Sequence, residues 1–163
     1  MLIPTAIMNK LSIREIINCN EITSRYGLIL SPAGAQELVE THAEALCSNG
    51  RIAFADGSGG IIIKLIIKFC DSPFLSQYNY AATLNELIET FYYFKNETLD
   101  EISDDELISL MKKFFDHNCQ GSIELLQNRE LEAWARNIRY GISEYADLCE
   151  DTDKSYDEEI YDE

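Results

Sequence analysis

The chain has 163 residues, 46% of them hydrophobic, and a formal net charge of −16. Ten Asp/Glu against one Lys in residues 142–163 place −9 of that charge at the C-terminal end and leave −7 on residues 1–141. A surface of this sign repels nucleic-acid phosphates and anionic lipid headgroups, so neither is expected as a partner and a basic one is favoured.

Helix punctuation dominates the chain. Ser12 with Glu15 has capping-box spacing and predicts a short helix to about Asn18. Tyr26-Gly27 breaks the chain, and Leu28-Ile29-Leu30 is a brief apolar run. Ser31-Pro32 then supplies an N-cap followed by proline at N1. The helix it opens runs to Ser48 and stops at Asn49-Gly50. Ala35, Leu38, Val39, His42 and Leu46 form its inner stripe, with Glu37, Glu40, Thr41 and Glu44 opposite. Arg51-Ile52-Ala53-Phe54-Ala55 alternates and is expected as a short strand pairing with Leu28-Ile29-Leu30.

Residues 61–69 (Ile-Ile-Ile-Lys-Leu-Ile-Ile-Lys-Phe) are β-branched enough for a strand. Lys64 and Lys68 share a face in either conformation, so periodicity alone does not decide. A nearly encircled central helix is preferred, because the rest of the chain offers little sheet to join. From about Ser76 a further helix carries Tyr80, Leu84, Leu87, Ile88, Phe91 and Phe94 inward, with Glu86, Glu89 and Tyr93 outward. Ser103 and Glu106 form a second capping box, behind which Leu107, Leu110, Met111 and Phe114 point inward and Gln120-Gly121 closes the helix. A helical turn over residues 123–126 precedes a break in phase at Gln127-Asn128. Leu131, Trp134, Ala135 and Ile138 then recur at helical spacing, continued by Ile142, Tyr145 and Cys149.

The expected fold is therefore mainly α: a single helical domain of about six helices over residues 9–149, with room for a minor two-stranded β element, and an acidic tail, residues 150–163, read as disordered. A chain this long buries roughly 70% of its unfolded surface, enough for an ordinary core. No apolar stretch is long enough to span a membrane, and residues 1–8 have neither the basic start nor the cleavage site of a signal peptide. Cys19, Cys47, Cys70, Cys119 and Cys149 are odd in number and widely spaced. They read as free thiols in a reducing cytoplasm, Cys47 and Cys70 as small core residues.

Candidate chemistry is sparse. Asp116-His117-Asn118-Cys119-Gln120-Gly121-Ser122 gathers a carboxylate, an imidazole, a thiol and a hydroxyl, and a cysteine nucleophile needs such a base. His117 and Cys119 lie two apart, however, where side chains diverge, and polar residues also cluster wherever a helix ends. No catalytic residue is assigned, with His117 and Cys119 the alternative. No metal or cofactor is assigned either: His42 and His117 are the only imidazoles, and His42 falls on an apolar stripe as a core-edge histidine. Asp56-Gly57-Ser58-Gly59-Gly60 lacks the order of a phosphate-binding loop and reads as a flexible turn. Arg129, Arg136 and Arg139 form the one basic cluster on a helix. Arg136 follows Glu132 by four residues; the three read as a solvated face, with a dock for the acidic tail as the sharper alternative.

The block from Asn9 to Gly141 resembles a family of small bacterial proteins of uncharacterised function. The resemblance rests on Leu11-Ser12-Ile13-Arg14-Glu15, Phe69-Cys70-Asp71-Ser72-Pro73, Phe91-Tyr92-Tyr93-Phe94-Lys95-Asn96-Glu97, Ser103-Asp104-Asp105-Glu106-Leu107 and Cys119-Gln120-Gly121-Ser122. It implies a bacterial, cytoplasmic protein and transfers no role to any residue. Met1 to Met8 lies before that block, with Met8 a natural alternative start. Two function classes follow. The preferred one is a non-catalytic protein-interaction domain whose acidic faces and exposed tyrosines engage an unidentified basic protein partner. The other is a small enzyme or ligand binder with its site near Asp116, His117 and Cys119.

Overall fold

The computed structural model describes residues 5–50 and 57–140, with side chains over 12–50 and 60–140. Within these the chain is all helix and loop: α1 (Thr5–Asn18), α2 (Asn20–Thr23), α3 (Pro32–Ser48), α4 (Gly57–Phe69), α5 (Tyr80–Glu97), α6 (Asp104–Lys113), α7 (Ile123–Leu125) and α8 (Leu131–Arg139). Helices α4 and α5 form the centre. The first packs against α1, α2, α3, α5 and α6, and the second against α3, α4, α6, α7 and α8.

The apolar run of residues 61–69 is thus a helix. Ile61, Ile62, Leu65, Ile66 and Phe69 are buried, while Lys64 and Lys68 reach solvent. Intrinsic preference would allow a strand here, but five neighbouring helices offer dry surface on most sides, and burial outweighs the few tenths of a kcal/mol of β-branched helix penalty. The same burial overrides the glycines before it. Gly57 to Gly60 are the first turn of α4 rather than a flexible turn.

Helix α1 starts at Thr5, seven residues before the expected cap, so Ser12 is an interior and buried residue rather than an N-cap. The two other caps lie where the sequence places them. Ser31 accepts from the Gly34 N–H at 3.0 Å with Pro32 at N1, and Ser103 accepts from the Glu106 N–H at 3.2 Å. On α5 all six residues of the expected stripe are buried, although the helix begins four residues late, at Tyr80.

No strand occurs among the described residues, and residues 51–55 lie outside them. Leu28, Ile29 and Leu30 lie outside any helix, and the backbone partners they have are not another strand. Asn20 donates to the Leu30 carbonyl at 3.0 Å and accepts from the Leu30 N–H at 2.9 Å. Gln77 does the same for Ile29, at 2.8 and 2.7 Å. Thr23 completes the set, its hydroxyl donating to the Leu28 carbonyl at 2.7 Å and its carbonyl accepting from the Leu28 N–H at 3.1 Å. A primary amide carries the donor and acceptor of a peptide group, so two amides replace the missing strand and let Leu28 and Leu30 be buried without orphaned backbone.

Two π-turns, Phe114–Asn118 and Leu126–Glu130, shift the register of the C-terminal half. The first buries the adjacent Phe114 and Phe115 together, and Phe115 stacks edge-on against Phe69 at 5.5 Å and Phe74 at 6.4 Å. The second falls on Gln127-Asn128, the position where the apolar phase slips in the sequence. Between the two turns Gly121 has φ +85°, its N–H bonded to the Phe115 carbonyl at 2.8 Å, and an added Cβ would stand 2.6 Å from the Cβ of Phe74.

Gly121→Ala combines a left-handed backbone with a collision against an aromatic cluster. It is expected to reduce unfolding free energy by about 1–3 kcal/mol in urea denaturation. A loss below about 0.5 kcal/mol would show that Phe74 does not confine the turn.

Candidate functional site

The segment Asp116 to Ser122 does not assemble as a dyad. The π-turn leaves His117 exposed and turns Cys119 into the core, where it is 3% accessible. Burial, then the negative charge of Glu130, pushes the Cys119 thiol up to about 11, so at neutral pH it holds its proton. Asp116 is tied elsewhere. It accepts from the Ser72 hydroxyl at 2.6 Å and pairs with Lys112 at 2.7 Å, and the same ammonium reaches Asp71 at 2.8 Å. Burial pulls the Lys112 ammonium down, but the hydrogen bonds and charges of Asp116 and Asp71 outweigh it and the net shift is upward. Of the thiols expected in the core, Cys70 is buried and Cys47 is exposed on α3. Cys47 falls on the outer face of α3, one residue past the buried Leu46 and beside the exposed Ser48.

The three arginines are engaged by local groups. Arg129 donates to the Asn118 carbonyl at 2.8 Å, Arg136 lies 3.6 Å from Glu132, and Arg139 pairs with Glu97 at 2.6 Å and Glu132 at 3.8 Å.

Two concave surfaces stand out among the described residues. The first, of about 740 Å³, lies between α3, α5 and the α7–α8 region, and Thr41, Glu44, Ser48, Glu89, Tyr93 and Glu132 line it. Its carboxylates come from three separate helices. Glu44 and Glu89 are exposed, and Tyr93 offers half of its surface to solvent. The walls are fixed by polar contacts that α5 makes with α3 and with the Leu126–Glu130 turn. Thr41 donates to Asn85 at 2.5 Å, Asn96 donates to the Asn49 side chain at 2.9 Å, and Gln127 donates to the Thr90 hydroxyl at 2.7 Å. Sequence periodicity had already turned Glu44, Glu89 and Tyr93 outward. That they converge depends on the α3–α5 packing, which periodicity does not contain.

The second surface, of about 810 Å³, is the groove between α4 and α6. It is lined by Lys64, Lys68, Lys112 and Lys113, by Asp71, Asp105 and Asp116, and by His117. Lys64 pairs with Asp105 at 3.0 Å. Ile67, 40% exposed, forms part of the floor. Among the described residues no three His, Cys, Asp or Glu gather as metal ligands, and no helix is long and apolar enough to cross a membrane.

A helical chain with these features belongs to the family described as "Family of unknown function (DUF6323)", which matches residues 15–144. No curated protein and no solved structure matches the chain.

His42, next in sequence to Thr41 of the acidic cleft, lies within the core. It is 1% accessible, Nε2 is 2.7 Å from the Tyr92 hydroxyl, and Nδ1 has no hydrogen-bond partner among the described residues. The core-edge reading of the sequence understates its burial. Burial pulls the imidazole down to about 4. The unfolded chain, with an ordinary histidine near 6.5, therefore binds the proton first. The contribution is whole above pH 6.5 and is lost as pH falls toward 4, with a slope of about 1.4 kcal/mol per pH unit. Urea unfolding between about pH 6.5 and 5, above most carboxylate titration, is expected to show this loss, and His42→Leu to flatten it. Identical slopes in the two proteins would contradict the buried, neutral imidazole.

Proposed function

We propose that this chain is a non-catalytic protein-interaction domain, bacterial and cytoplasmic, whose acidic cleft engages a basic segment of a protein partner. The observation that carries the reading is the convergence of Glu44, Glu89 and Glu132 from three helices around the exposed ring of Tyr93. Glu44 and Glu89, exposed and in no ion pair among the described residues, attract ammonium and guanidinium groups and repel phosphate, while Glu132 is shared with Arg136 and Arg139. A half-exposed tyrosine face gives a guanidinium a surface to stack on. Thr41, Ser48, Asn49 and Asn128 add neutral hydrogen-bonding groups, as a peptide backbone requires. The net charge of −16 speeds encounter with a basic partner and discourages nucleic acid and anionic membranes. Cys19, Cys47, Cys70 and Cys119 are all free, which suits a reducing compartment.

The runner-up is a ligand-binding or catalytic site at Asp116 and His117, favoured by their place on the α4–α6 groove. Cys119 does not share that groove, and its raised thiol is a poor nucleophile at neutral pH.

Calorimetric titration with an oligoarginine peptide, with amide shifts mapped in parallel, tests the cleft. Binding is expected to perturb Thr41, Ser48 and Tyr93, to weaken roughly tenfold in Glu44→Gln/Glu89→Gln, and to weaken further with added salt. Binding that survives those replacements but disappears on removal of residues 141–163 would move recognition to the acidic end and refute the cleft.

A further inference from the structure

We infer that the groove between α4 and α6 is an intramolecular dock for the chain's own acidic C-terminal segment, residues 141–163. This stands apart from the cleft and does not depend on what the cleft binds.

Charge is the first argument. The groove carries four of the chain's seven lysines against three aspartates, so it is net positive on a chain of net charge −16. Asp105 pairs with Lys64, and Asp71 and Asp116 share Lys112, so each of the groove's own carboxylates already has a lysine partner. Lys68 is exposed and makes no ion pair among the described residues. Residues 141–163 carry ten carboxylates and one lysine, the complement that this surface lacks. The arginines of α8, the other basic cluster, are already held by Glu97 and Glu132.

Reach and shape agree. Helix α8 ends at Arg139, whose guanidinium is bonded to Glu97 at the end of α5. One loop later Asp104 opens α6, and Asp105 with Lys64 forms the near end of the groove. From Asp105 to His117 the groove follows α6 for about 18 Å, at 1.5 Å per helical residue. Residues 141–163, at about 3.3 Å per extended residue, span up to roughly 75 Å. The floor is apolar along Ile63, Ile67 and Ile108, and the segment supplies Tyr156, Ile160 and Tyr161 between its carboxylates. Apolar contact beneath a charged rim gives the dock a fixed position as well as attraction.

The segment contains its own reporter site, Cys149. In the full chain with Cys47→Ser, the remaining cysteines at 19, 70 and 119 are buried, so a nitroxide reacts at Cys149. Paramagnetic broadening is expected on the amides of Lys64 to Lys68 and Lys112 to His117. It should fall by at least about half in 0.5 M salt, where screening acts over a few ångströms. It should also be lost in Lys68→Glu and in Lys64→Glu, two exposed positions at which an unchanged amide spectrum elsewhere reports an intact fold. Broadening confined to α8, or unmoved by both charge reversals, would overturn the proposal. So would broadening seen only when the nitroxide and the observed nuclei are on different copies, which would make the contact intermolecular.

Discussion

Helix α4 offers apolar side chains on every side except the edge that carries Lys64 and Lys68, and the remaining helices are arranged by the need to enclose it. A helix of this kind has no stable exposed form in water, because Ile61, Ile62, Leu65, Ile66 and Phe69 all need cover at once. Five elements supply that cover. The lysine edge then has to face outward, and it does so beside α6, where Asp105 meets Lys64 and Asp71 and Asp116 meet Lys112. Phe69 passes the constraint on to Phe115, and Phe115 to Phe74, so the tight turn at Gly121 answers to the same core.

The parts of this arrangement that are local in sequence were legible there. Ser31 with Pro32 and Ser103 with Glu106 are caps because their hydroxyls need only reach three residues ahead. The stripes of α3, α4 and α5 are legible because burial imposes a period on one strand of chain. Even the π-turn at Leu126–Glu130 left its mark as a phase slip at Gln127. Contacts between distant residues were not legible. Leu28, Ile29 and Leu30 look like a strand in need of a partner, and nothing local shows that Asn20, ten residues away, and Gln77, forty-eight away, act as that partner. The same limit applies to the site. That Glu44, Glu89 and Tyr93 face outward follows from helical period, whereas their meeting with Glu132 depends on how α8 crosses α5. Ser12 misled for a different reason: its capping spacing is present, but the helix had already begun at Thr5.

Charge divides along the same lines. Carboxylates on the outer faces of α3, α5 and α8 surround one concavity, and lysines from α4 and α6 surround another. Neither is a catalytic assembly of the kind suggested by Asp116, His117 and Cys119, because the π-turn sends the imidazole to solvent and the thiol to the core. Carboxylates dominate one concave surface and lysines outnumber aspartates on the other, so the proposed basic partner and the proposed docking of the acidic segment fall on different surfaces. The two contacts differ in response to salt only through their geometry, so mapping by residue separates them better than affinity alone.

Native-state hydrogen exchange across the whole chain tests the central claim, that enclosure of α4 organises the fold. Amides from Ile62 to Phe69 should be among the slowest to exchange and should open only with global unfolding, alongside those of α5, while α8 exchanges through smaller openings. Exchange in α4 that is faster than in α8, or that proceeds by local opening under native conditions, would contradict a fold built around this helix.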